Sequence, residues 1–347
     1  MTEMEKNEIL AAVRAALTGN AAEDMIYLQE QVEKYNNDPE TREAAKEILA
    51  IAYDLLSPEQ DAYMKKMLYI GERRLDEVYA EGSRLMRAGQ TAKALTITKQ
   101  LYEHITEHFK ETPEMRFFSF RNLLESNLYQ ILYHPTKQLV KAPFDFSLFI
   151  GAYAYNLVEV RRLDEAIPVL EEAIRYNPVN PDVRFELAEV YKLKQDDNKL
   201  LETICDTLPI CASAYAIARC YANLGYWCVD IKDYTSAVAF YYESLLFADH
   251  PQIAAELRHV EHLMGQPIVP PNRDMINAAF AKYEIYHGPG RELLHTAREL
   301  ARQAQEGERW EEASYYLTAV NSLIRDDEAK EALKKCQAEL QKQHPAE

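Results

Sequence analysis

The chain is 347 residues long and has little of several things, each of which excludes something. No apolar run approaches the roughly 20 residues that span a bilayer, so no membrane insertion is expected. Met1 to Lys6 show no basic leader ahead of an apolar core, so no secretory signal is expected either. Basic residues are outnumbered, 39 against 56 acidic, for a net charge of −17. A nucleic-acid partner calls for the opposite balance. There are only 10 glycines and no glycine-rich phosphate loop, and neither a GxSxG elbow nor another nucleophile constellation occurs. The five cysteines form no CxxC pair, although Cys205, Cys211, Cys220 and Cys228 lie close together. An odd fifth, Cys336, is out of keeping with an exported disulfide framework. Cys220 and Cys228 fall at inward helical positions, where cysteine packs as a small apolar residue. These absences together predict a cytoplasmic protein that is not an enzyme and holds no cofactor.

What is present is a spacing. Ala154 is followed twelve residues later by Ala166, Ala188 by Leu200, and Gly225 by Ala237, and the first members recur after 34 and then 37 residues. Apolar residues recur at helical intervals around each. In one unit Phe149, Ile150, Tyr153 and Leu157 form a first stripe, and Leu163, Ile167, Leu170 and Ile174 form a second. Small residues suit the place where two helix axes approach. Asn177-Pro178 stops the second helix, and Pro181 starts the next where its missing N–H costs nothing. Weaker copies pair Gly82 with Ala94 and Ala301 with Ala313. The gaps of 72 and 76 residues on either side of the central three are close to two periods, so one irregular helical unit is expected in each. Residues 112–146 predict a long apolar helix from about Glu114 to Tyr133, then an extended stretch between Pro135 and Pro143. Residues 266–290 predict a proline-kinked passage around a short helix.

The run Arg162-Leu163-Asp164-Glu165-Ala166-Ile167, the run Ala173 to Pro181, and Asn223-Leu224-Gly225 followed by Asp233-Tyr234 resemble bacterial tetratricopeptide repeat proteins. The match is specific over about residues 147–250. The segment Phe117-Phe118-Ser119-Phe120-Arg121-Asn122 also resembles an insert in repeat proteins of Gram-positive bacteria. The resemblance implies an all-α, right-handed α-α superhelix of antiparallel helix pairs that binds other proteins. About 16 helices and no sheet are expected. Three parts are expected: a helical cap or divergent repeats over 1–70, the array over 71–265 with its insert at 112–146, and a helical block over 266–347.

In repeats of this kind the first helix of each unit lines the concave face, so Tyr155, Phe185, Glu189, Lys192, Arg219, Asn223 and Tyr226 are the expected binding residues. Aromatics there supply apolar anchors, while Arg219 and Asn223 can hydrogen-bond an extended backbone. Glu186 and Glu189 would repel a carboxylate, which argues against a receptor for chaperone tails. The predicted function is an interaction scaffold for a peptide or protein segment. A second possibility is a sensor that closes around a ligand or peptide with 266–290 as its hinge. The composition does not indicate an oligomeric state.

The N-terminal 70 residues carry helix boundaries at Gly19, Asn20 with Glu23, Asp38-Pro39 and Ser57-Pro58-Glu59-Gln60, giving four helices. With 13 acidic and 5 basic residues in 1–60, they do not suit a DNA-binding head. His104-Ile105-Thr106-Glu107-His108 matches the HxxEH pattern of zinc hydrolases. No third ligand stands out, and histidines at a helix C-terminus are favoured by the dipole, so metal is not expected there. His259 and His262, one turn apart, are read as surface residues in the same way.

Overall fold

The structure is a computed structural model that describes residues 2–36, 41–249 and 252–343. It divides into two compact units, Met1–Leu75 and Asp76–Glu347.

The first unit holds α1 (Glu3–Ala15), α2 (Ala21–Asn36), α3 (Arg42–Asp54) and α4 (Pro58–Leu68), then β1 (Tyr69–Ile70) paired antiparallel with β2 (Arg73–Arg74). Gly71 takes a positive φ of 65° in the two-residue turn between the strands. Leu10, Val13, Leu28, Ile48 and Ile51 form the core. Ser57 and Gln60 close a reciprocal capping box at the start of α4, as their spacing predicts. At the α2 start Asn20 and Glu23 pair through their side chains at 2.9 Å. The unpredicted Asp24 caps the preceding loop there, accepting from the N–H groups of Thr18 and Gly19. Asp38-Pro39 lies outside the described residues.

The second unit is built from five antiparallel helix pairs. They are α5 (Leu75–Arg87) with α6 (Thr91–His108), α8 (Phe146–Glu159) with α9 (Leu163–Tyr176), and α10 (Pro181–Lys194) with α11 (Asp197–Thr207). After a 3-10 turn (Leu208–Ile210) follow α12 (Ala214–Asp230) with α13 (Tyr234–Phe247) and α16 (Arg291–Glu306) with α17 (Trp310–Leu323). Ala94, Ala154, Ala166, Ala188, Leu200, Ala237, Ala301 and Ala313 are all essentially inaccessible, so the twelve-residue spacing marks real helix approaches. Glycine is needed at two of them. A Cβ on Gly225 would stand 2.6 Å from the Tyr241 ring, and one on Gly82 2.8 Å from Thr98 Cγ2.

Each pair turns the same way. The residue seven after the small one, Gly89, Arg161, Gln195, Lys232 or Glu308, has φ between 55 and 68°. The next N–H then reaches back to the carbonyl five residues earlier, as in Asp233 to Cys228 at 2.8 Å and Arg162 to Leu157 at 2.9 Å. This six-to-one bond with a left-handed residue is a Schellman ending. Only one of the five residues is glycine. The other four hold a left-handed φ that non-glycine residues seldom take, each beside the same backbone bond.

Three expectations are corrected. The Glu114–Tyr133 segment is not one helix: Met115–Phe118 is a strand (β3), and Asn122 caps a shorter helix, α7 (Leu123–Tyr133). An apolar run of this length fits either state, and β3 is decided by its parallel pairing with β4 (Gln138–Lys141), which α7 makes possible as the crossover. The absence of sheet is likewise wrong, by these two small ribbons. Finally, 18 α-helices are described rather than about 16. The second gap is filled by α14 (Ile253–Met264) and α15 (Arg273–Lys282), which pack on α13. Then the last pair, α16–α17, packs on the insert helix α7, and Leu124 lies in one core with Ala297, Leu300, Ala301, Tyr316 and Leu317. Helix α18 (Asp327–Gln343) covers α17. The class is all-α, built mainly of antiparallel helix pairs, with an insert that ties the earlier pairs to the last.

Candidate peptide-binding groove

Three first helices present equivalent positions to one side. Six before, two before and one after the small residue stand Leu148, Ala152 and Tyr155 on α8, Asp182, Glu186 and Glu189 on α10, and Arg219, Asn223 and Tyr226 on α12. All nine line adjoining concavities of about 630 and 420 Å³, with Arg219 common to both. The spacings i, i+4 and i+7 put each trio on one helix face.

Charge along the groove is matched locally. The acids of α10 each meet a cation from a neighbouring turn or element. Asp182 takes Arg121 at 3.0 Å, Glu186 takes Arg219 at 3.5 Å, and Glu189 takes Lys192 at 2.8 Å. Burial pushes the Glu186 carboxyl above its ordinary range, with Arg219 opposing. Lys192 also donates to Asn223 Oδ1 at 2.6 Å and lies 4.9 Å over the Tyr226 ring. Because an ammonium can only donate, that bond fixes the amide orientation and turns Nδ2 elsewhere. Asn223 Nδ2 is buried and has no partner. Such a donor is costly unless something accepts from it.

Of the seven residues singled out in the sequence, Glu189, Lys192, Arg219, Asn223 and Tyr226 meet in the smaller concavity. Tyr155 is 45% exposed and lines the larger one. Phe185 is corrected. It is only 3% exposed and lies beneath the Arg219 guanidinium, 4.5 Å from it, so it is core rather than an exposed anchor. Sequence reading missed Tyr215, an exposed aromatic bordering the smaller concavity, and Asn156 on α8. Asn156 had a legible signal, a polar residue inside an otherwise apolar stripe.

The other candidates do not line these two concavities. His104 and His108 stack at 4.3 Å, and His108 Nδ1 lies 3.0 Å from the His104 carbonyl. His259 and His262 are both exposed. Among the described residues no three His, Cys, Asp or Glu side chains converge as metal ligands. Phe117, Phe118 and Phe120 pack against Phe109, Phe120 and Tyr129. The proline-rich passage is pinned. Arg273 and His287 both bond the buried Glu243 carboxylate, at 3.0 and 2.7 Å, and the Gly288 N–H donates to Tyr221. Lys282 and Tyr283 both donate to Asp233. No described helix is long and apolar enough to cross a membrane.

No protein-family model matches the chain, and no curated protein matches it. Among solved structures the chain is similar to one chain of the APC/C hetero-tetramer Cut9-Hcn1, at 10% identity and a TM-score of 0.41. That alignment covers 97% of this chain and 57% of the other, so this chain spans little more than half its length. It is similar also to the P58(IPK) TPR domain, at 13% identity and a TM-score of 0.30, over 99% of this chain and 100% of that one. Neither likeness bears on function.

Proposed function

We propose that the chain is a non-enzymatic scaffold that binds an extended segment of a protein partner along the groove of α8, α10 and α12. The observation that carries this reading is Asn223 Nδ2, a buried and unpaired donor at a groove position, oriented by Lys192. A main-chain carbonyl of a bound segment would satisfy it. Exposed Tyr155 and the half-buried Tyr226 supply flat apolar contacts on either side. The net charge of −17 favours a protein over a nucleic-acid partner, and a cytoplasmic location without a cofactor belongs to the same reading. A scaffold is preferred to a sensor hinged at 266–290, because that passage is tied to α12 and α13 by the bonds to Tyr221, Asp233 and Glu243.

The test is affinity capture from the native cell with mass spectrometry, then binding of the captured partner to Asn223→Ala and to Tyr155→Ala with Arg219→Ala. Each variant should bind about tenfold more weakly, since truncation at a hot spot costs roughly 1–4 kcal/mol. Unchanged binding by folded variants would move the site off this groove.

A further inference from the structure

The larger concavity, between α5 and α8, holds a buried acceptor that nothing in the protein answers. Asn156 is fully buried. Its Nδ2 donates to Thr98 Oγ1 at 3.0 Å and to the Ala152 carbonyl at 2.9 Å. The Thr98 hydroxyl spends its own proton on the Ala94 carbonyl at 2.8 Å, so toward Asn156 it must accept, which fixes the amide. Oδ1, on the other side of that amide, is left without a donor. The same contacts bring three helices to one level. A Cβ on Gly82 of α5 would stand 2.8 Å from Thr98 Cγ2, and Thr98 of α6 holds Asn156 of α8. The Ser147 hydroxyl is unpartnered too, but it belongs to the first turn of α8, away from Asn156.

Residue size shapes a slot at this level. Leu148, Gly151, Ala152 and Tyr155 stand at i, i+3, i+4 and i+7 on α8, and Tyr79, Gly82, Ser83 and Met86 do so on α5. Each face is small in the middle and bulky at both ends. The floor is open, since a Cβ on Gly151 would meet nothing within 4 Å. The carboxylates around the cavity are engaged or remote: Glu186 pairs with Arg219, Asp182 with Arg121, and Asp145 caps the opposite end of α8. A neutral acceptor beside a flat slot with apolar ends matches a flat apolar group with one neutral donor. Among side chains that is the indole, which donates and does not accept. Gly151 to Asn156 is about 8 Å of helix, within the span of a bicyclic ring and its Cβ. We infer that this slot is a subsite for a tryptophan of the bound segment, its rings over Gly151 and Ala152 between Met86 and Tyr155, and its N–H donating to Asn156 Oδ1. The inference rests on the groove being a peptide-binding surface and adds the chemistry of one partner residue.

The experiment uses the full chain with 13C-labelled methionine methyls, the Met86 resonance being assigned through Met86→Leu. Nα-acetyl-tryptophan amide is titrated in, and separately its benzothienylalanine counterpart, in which sulfur replaces the indole N–H. The tryptophan amide should give a saturable ring-current shift at Met86. The sulfur analogue should bind about fivefold more weakly, for the loss of one buried hydrogen bond. Gly151→Leu has room for its Cβ and gains helix propensity, so it should melt no lower than the native chain while the shift disappears. No saturable shift, equal binding of the sulfur analogue, or an undiminished shift in folded Gly151→Leu would each overturn the subsite. The probe needs no partner, so its failure is distinct from failure of the groove reading. Partner binding that is lost in Asn223→Ala but unchanged in Gly151→Leu would keep the groove and overturn the subsite.

Discussion

The side-chain amide of Asn122 donates to the hydroxyl of Tyr315 at 3.1 Å, across 193 residues of sequence. Asn122 caps the insert helix and Tyr315 lies on the last helix pair, so the bond marks where the insert crosses from the early pairs to the C-terminal block. Beside it Leu124, only 2% exposed, is buried in the α16–α17 core. The next residue, Glu125, ties the same turn to the early pairs, accepting from Arg121 and from Asn177 of the α9–α10 turn. Leu124→Ala should therefore cost about 2–5 kcal/mol, the usual range for a buried leucine truncation. Amide exchange should show the loss of protection concentrated in α16 and α17. Uniform loss across the unit would mean that the insert does not tie the blocks together.

Gly225→Leu should destabilise severely, by about 1–3 kcal/mol or more, because its Cβ alone would stand 2.6 Å from the Tyr241 ring. Chemical denaturation reads this directly. A variant that unfolds at the same midpoint as the native chain would mean the third pair is phased wrongly.

Lys232→Gly acts in the opposite direction. Lys232 holds φ at 64° in the α12–α13 turn and its side chain is exposed. Glycine relieves the left-handed strain at some cost in unfolded-chain entropy, leaving a net gain of about 0.5–1 kcal/mol. The melting temperature should rise, and a fall would show that the lysine side chain contributes contacts of its own.

Phe185→Ala should unfold part of the array rather than merely empty the groove. Its ring is 3% exposed, and truncating a buried phenylalanine costs about 3–5 kcal/mol. Tyr155→Ala, at 45% exposure, should leave the melting temperature within a degree or two. Equal stability of the two variants would return Phe185 to the list of groove anchors.

Acid should loosen the contact between α13 and the segment after α15 through Asp233. Burial raises this carboxyl, but its bonds from Lys282, Ser236 and Tyr283 outweigh that, taking it from an ordinary 3.8 to about 2. A folded-state value below the unfolded one stabilises above pH 3.8 and loses that contribution as pH falls toward about 2. The native chain should accordingly be more stable than Asp233→Asn at pH 6, with the two converging near pH 2. A constant difference across that range would assign the effect to packing.

Much of the repeat geometry was legible because it is local. A small residue and its partner twelve residues on are set by helix pitch and by how closely two axes can approach, so one stretch of chain suffices to read them. The charged and polar groove residues of α10 and α12 followed from the same phase. Phe185 did not, because position on a helix gives the direction of a side chain but not what closes over it. Arg219 does so here from the next pair.

By itself the sequence determined the helix pairs, their order and the faces they bury, since periodicity and turn residues act over a few turns of chain. Tertiary structure alone decided the rest. Met115–Phe118 becomes a strand only because Gln138–Lys141 pairs with it, and α16 meets the insert helix α7 only because Leu124 joins its core. Asn223 and Asn156 are left with unanswered atoms only because Lys192 and Thr98 take the other end of each amide. These outcomes depend on groups about 20 to 190 residues apart, and loop closure over such distances leaves no periodic trace in the chain.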